Sequence, residues 1–178
     1  MEGAEGKLPF QDTDDIPYGG YDIIDNPKYL SPFVPTKSEK IESILARIQF
    51  QPEDVLYDLG CGDCRMLISA VQKGCSRAVG VDMDPVMVAR GQTMVSEAGL
   101  QGQISVLQAD MMELDFSEAT IIYVFLLEKA LDLLQPKLLQ LFATGPLRLV
   151  VTTLFDFKAL SVRKEEDVQF GYYLYHRS

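Results

Sequence analysis

Strands alternating with amphipathic helices along most of a 178-residue chain predict an α/β fold built on a doubly wound, mostly parallel sheet. Three observations carry that prediction. Apolar runs at residues 54–59, 78–82, 104–107, 119–125 and 147–155 have the length and composition of buried strands. Segments with helical spacing or helix-start signals separate most of them. The first run passes straight into LGCGDCR (59–65), a glycine turn of the kind that joins a strand to a helix.

Residues 1–32 read as an irregular acidic arm, with Glu2, Glu5, Asp12, Asp14 and Asp15 against Lys7 and then glycine and proline punctuation. Tyr18, Tyr21, Tyr29 and Phe33 give this arm aromatic surface, so its later part is expected to pack on the single domain formed by residues 33–178. Thr36 followed by Glu39 predicts a capping box, with Ile41, Ile44, Leu45 and Ile48 on the buried face of its helix. Pro52 closes that helix before the first strand. Residues 63–73 predict a second helix ended by Gly74, and Asp84 with Pro85 predict the N-cap and first turn of a third, running to Gly99. A fourth is expected over residues 131–142, with Pro136 starting its longer piece. Residues 168–176 alternate, placing Val168, Phe170, Tyr172 and Leu174 on one face. The connection before that last strand is too short for a comfortable crossover, which predicts an antiparallel strand at or near the sheet edge.

Composition narrows the function. The net charge of −10 opposes bulk attraction to nucleic-acid phosphates and favours basic partners. No apolar run reaches the roughly 20 residues needed to span a bilayer, and MEGAEGKLPF lacks the basic flank and apolar stretch of a signal peptide. A cytoplasmic or other reducing location is therefore expected. Cys61, Cys64, Cys75 and His176 do not have structural zinc spacing, so no metal is expected.

LGCGDCR admits two readings. Its C-x-x-C suggests a redox dithiol at a helix terminus, but a thioredoxin-like chain would carry that motif near the start of about one hundred residues in a different strand arrangement. Its glycines instead let a nucleotide approach backbone amides. The dinucleotide fingerprint G-x-G-x-x-G fails because Arg65 stands at its third glycine. The nucleotide reading gains specificity from three acids: Asp58 before the glycines, Asp82 ending the second strand and Asp110 just past the third.

The segment DLGCGD (58–63) resembles the D-x-G-x-G loop of class I S-adenosylmethionine-dependent methyltransferases, and VGVDMDP (79–85) and LQAD (107–110) resemble that family's second and third motifs. The likeness covers about residues 36–155 and implies a Rossmann-like sheet and S-adenosylmethionine as cofactor. SPFVPT, YDLGCGDCR, IIYVFLLEK and the final aromatic strand are similar to a smaller group that includes mitochondrial protein lysine methyltransferases and bacterial relatives. Carried over, the likeness makes Asp82 an acceptor for both ribose hydroxyls, Met83 a wall of the adenine site and Asp110, beside Met111, an acceptor for the adenine amino group. Gly60, Cys61 and Gly62 would pass the methionine part, and Asp58 would support the loop and the ligand's ammonium. Asp63 and Arg65 are expected to cap and pair at the helix start. Many relatives have glycine where this chain has Cys64.

The same resemblance implies N-methylation of a lysine in a basic or lysine-containing protein. Tyr123 is the candidate catalytic residue, with Phe33, Thr36, Phe125 and Glu128 as candidate acceptor contacts; a buried core aromatic is the competing reading of Tyr123. The Asn/Asp-Pro-Pro-Tyr/Phe motif of amide and adenine methylating enzymes is absent from the sequence. A noncatalytic interaction module, a small-molecule methyltransferase and a dinucleotide oxidoreductase are the alternatives. Little length remains for an inserted substrate domain, which favours a macromolecular acceptor. The C-x-x-C spacing also admits a Cys61–Cys64 disulfide, disfavoured in a reducing compartment.

Overall fold

The structure is a computed structural model and describes residues 33–160 and 162–177. The acidic arm expected over residues 1–32 lies outside the described residues, and Phe33 is where the described chain begins.

Seven strands form one sheet in the order β3-β2-β1-β4-β5-β7-β6. Strands β1 (Val55–Leu59), β2 (Arg77–Asp82), β3 (Ile104–Gln108), β4 (Ile121–Val124) and β5 (Leu149–Thr153) are mutually parallel, so their carboxyl ends share one edge. Strands β6 (Arg163–Asp167) and β7 (Tyr172–His176) form a hairpin that joins β5 antiparallel through β7. Chain order reverses between β1 and β4, where a doubly wound sheet opens its ligand crevice.

Alternation along each strand feeds two cores. Val55, Tyr57, Leu59, Ile122 and Val124 pack with Leu131, Leu134 and Leu138 of α4 (Glu128–Thr144). Leu56, Ile121, Val151 and Leu174 face the other side, toward α1 (Ser38–Ala46), α2 (Arg65–Gln72) and α3 (Pro85–Glu97). Asp58 and Tyr123 share the parity of Leu56 and Ile121 and are register partners across β1 and β4. They therefore lie side by side on the second face.

Three local expectations are corrected. The Thr36 capping box does not form: α1 begins after Lys37, which makes no side-chain cap, because the Thr36 hydroxyl is engaged by Tyr123 at 2.9 Å. Pro136 does not start a separate piece but lies inside a continuous 17-residue α4. The predicted strand over residues 168–176 divides, since residues 168–171 form the hairpin turn and Val168 is 82% exposed; only Tyr172 and Leu174 of the expected face are buried. The strand is antiparallel and next to the sheet edge, as expected, with β6 outside it. The α3 start follows expectation, with Asp84 Oδ1 accepting from the Val86 amide at 2.8 Å and Pro85 in the first turn.

Candidate active site

The crevice is built from the carboxyl ends of β1, β2, β3 and β4. After β1 the chain turns through Gly60 and Gly62, both with positive φ (88° and 51°), which glycine adopts without Cβ strain. The amides of Gly60 and Cys61 donate to the Val81 carbonyl at 2.8 and 3.0 Å, hooking the loop onto β2. Asp82 completes the hook. Its Oδ2 accepts from the Gly62 amide at 3.0 Å and its Oδ1 from the Asp84 amide at 2.9 Å. Each carboxylate oxygen retains a lone pair for a further donor.

Asp58 sits behind this loop, fully buried, and its Oδ1 has no hydrogen-bond partner among the described residues. Burial raises its pKa well above the usual carboxylate range, and the charges of Asp82 and Asp63 push it the same way. Burial likewise raises Asp82, against the lowering effect of its amide donors. Asp58 and Asp82 thus stand at the glycine turn with burial pressing both toward the neutral form, an arrangement in which a cationic ligand would favour their charged forms.

Met83 follows Asp82 half-buried, and beyond β3 Asp110 Oδ1 accepts from the Met112 amide at 2.8 Å while Met111 is buried beside it. Lys137 of α4 donates to the carbonyls of Met111 (3.3 Å), Met112 (3.4 Å) and Leu114, with its ammonium 4.1 Å from the Phe116 ring centroid. Nothing in the local sequence marks Lys137 as a brace for this loop.

The second half of the crevice involves residues 33–36. The Phe33 ring lies against Gly62 so closely that a Cβ there would stand 2.3 Å from Phe33 Cε2. Tyr123 is buried, and its hydroxyl is within 2.9 Å of Thr36 Oγ1 and 3.3 Å of Thr153 Oγ1. Burial and the Asp58 charge raise the Tyr123 pKa, so the phenol stays neutral across the physiological range. Thr153 escaped the sequence reading; its signal was a Thr-Thr pair closing an otherwise apolar strand. Phe125 is half-buried just after β4, and Glu128 is exposed in the first turn of α4. Asp63 and Arg65 pair as expected, both buried, with Arg65 Nη2 2.6 Å from Asp63 Oδ2.

Cys64 adopts φ 64°, the left-handed conformation that favours glycine, as the residue before α2. Its buried sulfur lies 3.7 Å from Cys61 Sγ, and both thiols are free. The hydrogen bond with the Cys64 thiol, and burial after it, raise the Cys61 pKa well above its usual value, which opposes the nucleophilic thiolate of a redox dithiol.

The mostly parallel sheet, its reversal point and the acid-flanked glycine loop define a methyltransferase of the Rossmann-like class that uses S-adenosylmethionine. The sheet superimposes on an RNA methyltransferase from Salinibacter ruber solved with S-adenosylhomocysteine, with a TM-score of 0.71, 31% identity, and coverage of 81% of this chain and 94% of that one. Within the class, residues 58–164 match the ANTKMT methyltransferase domain, and the chain belongs to that family. It is 33% identical over 108 residues to a protein-lysine N-methyltransferase of Saccharolobus islandicus, covering 60% of this chain and 67% of that protein. It is 27% identical over 107 residues to the mouse adenine nucleotide translocase lysine N-methyltransferase, covering 60% of this chain and 46% of the mouse protein.

Proposed function

We propose that the protein transfers a methyl group from S-adenosylmethionine to a lysine side chain of a protein. The observation that carries the donor half is the buried Asp58 carboxyl group, whose Oδ1 has no partner among the described residues, beside a loop whose glycines admit close approach. Bound S-adenosylmethionine supplies an electrophilic methyl group and brings two cationic centres, which suit this acidic site. The residues divide the binding task. Gly60, Cys61 and Gly62 offer backbone to the methionine part and Asp58 an acceptor for its ammonium. Asp82 offers its remaining lone pairs to the ribose hydroxyls, Met83 and Met111 offer apolar surface to adenine, and Asp110 accepts from its amino group. Hydrogen bonds to such charged acceptors contribute about 1.5–3 kcal/mol each.

An acceptor lysine must lose its proton before its nitrogen is nucleophilic, and its free pKa is about 10.4. Tyr123 is held neutral and its hydroxyl is shared with Thr36 and Thr153, so it fits a hydrogen-bond acceptor better than an ionised base. Desolvation beside Phe125 lowers the amine pKa, while exposed Glu128 attracts the cationic side chain during approach. The lysine relatives support the protein acceptor. The Salinibacter protein's name makes RNA the competing acceptor, which the net charge of −10 opposes. The reading extends to a cytoplasmic or other reducing location, in which the cysteines of the glycine loop stay reduced.

The test titrates S-adenosylmethionine calorimetrically into wild type and Asp82→Ala, then supplies labelled methyl donor with cell protein and with total RNA. Binding lost in the variant, and label released by protease as methyl-lysine, is expected. A folded wild type that binds no donor overturns the reading; label confined to RNA overturns its acceptor half.

A further inference from the structure

Asp63 is the hub of a charged cluster that the proposed reaction does not use. It is 1% exposed, and Arg65 at 4% grips it with a fork: Nε to Oδ1 at 3.0 Å and to Oδ2 at 3.1 Å, and Nη2 to Oδ2 at 2.6 Å. The same guanidinium reaches across 29 residues of sequence, donating from Nη1 to the Thr36 carbonyl at 3.3 Å. Arg90 of α3 lies 3.9 Å from Asp63 Oδ2 and places its guanidinium 5.8 Å from the centroid of the Phe33 ring. Residues 33–36 are thus tied at both ends. Thr36 is held through its carbonyl by Arg65 and through its hydroxyl by Tyr123, while Phe33 rests on Gly62 beneath Arg90.

An isolated buried ion pair is weak evidence of a stabilising role, since desolvation offsets much of its attraction. What the fork provides is geometry. A planar guanidinium can hold a carboxylate on one edge and a carbonyl on the other, which a lysine ammonium cannot reproduce. The carboxylate and the fork belong to the end of the glycine loop, and the carbonyl belongs to the segment lying against that loop. Displacing the loop therefore displaces the segment.

We propose that Arg65, oriented by Asp63, is a positioning residue that clasps residues 33–36 to the glycine loop, so that cofactor binding at the loop tightens this strap beside Tyr123. The coupling of cofactor to strap rests on the S-adenosylmethionine reading above; the clasp in the ligand-free protein does not. The effect of Arg65 on the site passes through the Thr36 carbonyl.

The test is amide hydrogen exchange of wild type and Arg65→Lys, each with and without saturating S-adenosylhomocysteine. Arg65→Lys keeps a positive charge beside Asp63 but loses the fork. In the ligand-free variant, exchange at residues 34 and 36–38 is expected to rise about tenfold while residues 149–153 of β5 stay within twofold; Pro35 has no amide hydrogen to exchange. In wild type the ligand slows strap exchange; in the variant the ligand still binds, but that slowing is lost. A merely structural Arg65 would loosen strap and sheet together and leave the ligand response in place. Unchanged strap exchange in the ligand-free variant, or a ligand response equal to wild type, overturns the proposal. Should Arg65→Lys unfold, Asp63→Asn/Arg65→Gln, which buries no charge, carries the same comparison. Should that pair also unfold, wild type decides: strap exchange no slower than in an unstructured peptide of the same sequence overturns the clasp, and protection that the ligand increases supports it. If wild type fails to bind S-adenosylhomocysteine, the functional reading falls, and the ligand-free comparison still decides the clasp.

Discussion

Asp58→Asn isolates the electrostatic cost of the donor site. In the folded protein Asp58 is buried, near Asp82 and Asp63, and its pKa is raised by burial first and by those charges second. In the unfolded chain it returns to about 3.9. The folded state therefore binds the proton more tightly, and wild-type stability is complete below about pH 4 and falls as pH rises toward the folded pKa. Each unit between the two pKa values costs about 1.4 kcal/mol. Asparagine cannot ionise, so its own unmet amide donor adds a constant term while the pH slope disappears. Relative to wild type, the variant should therefore gain about 1.4 kcal/mol, or about 3–6 °C in Tm, for each pH unit between the unfolded and folded pKa values. Ligand binding should move the opposite way. Losing a charged acceptor for the ammonium weakens S-adenosylhomocysteine by about 10–100-fold, and the wild-type proton release that makes affinity increase with pH is abolished. The assay is thermal unfolding from pH 5 to 9 with and without S-adenosylhomocysteine. Parallel pH profiles for wild type and Asp58→Asn, with equal ligand-induced shifts, would refute the reasoning.

Other perturbations separate the supports of the site. Cys64→Gly relieves a left-handed Cβ but removes a packed thiol, so melting should show a stability change under about 1 kcal/mol and calorimetry an affinity within threefold of wild type; Cys64→Val places a branched side chain at φ 64° against Gly91 and should destabilise by about 2 kcal/mol or more. Lys137→Met strips donors from three carbonyls of the loop after Asp110, and about 1–2 kcal/mol of stability and three- to tenfold in S-adenosylhomocysteine affinity should be lost, read by melting and calorimetry. Arg148→Met leaves the buried Asp54 without a partner that holds it at 2.5 and 2.9 Å; denaturant unfolding at pH 7 should show a loss of about 2 kcal/mol, discounted because Arg148 is a third exposed. Asp54 is held below the usual carboxylate range despite its burial, so the wild-type advantage should be present above about pH 4 and shrink as pH falls toward the folded pKa, whereas the variant loses that dependence.

The parallel half of the fold was legible because its signals are local. Buried strands read as apolar runs, and the glycine turn with Asp58, Asp82 and Asp110 announced the crevice from strand ends alone. What escaped depended on distant partners. Thr36 has the local chemistry of an N-cap, but a tyrosine 87 residues away competes for its hydroxyl. Pro136 marks a break in local terms, yet Leu134 and Leu138 hold the helix on the core through it. Arg65 was legible as a helix-start partner for Asp63, but its reach to the Thr36 carbonyl exists only after folding. Strand β6 carries no apolar residue at all, so neither periodicity nor hydropathy could find it.

That polar strand also sets how the molecule meets its neighbours. Arg163, Lys164, Glu165, Glu166 and Asp167 pair along β7, whose aromatic Tyr172, Tyr173 and Tyr175 would otherwise end the sheet with open amides and carbonyls. An uncovered aromatic edge invites a second chain to continue the sheet. An approaching copy in parallel register would meet its own like charges at close range, and one in antiparallel register would have to strip water from five charged side chains and set Glu165 against its counterpart. The hairpin thus works as a self-supplied sheath that keeps the sheet's hydrogen bonding within one molecule, and its composition, which hid it from a hydropathy reading, is what suits it to that task.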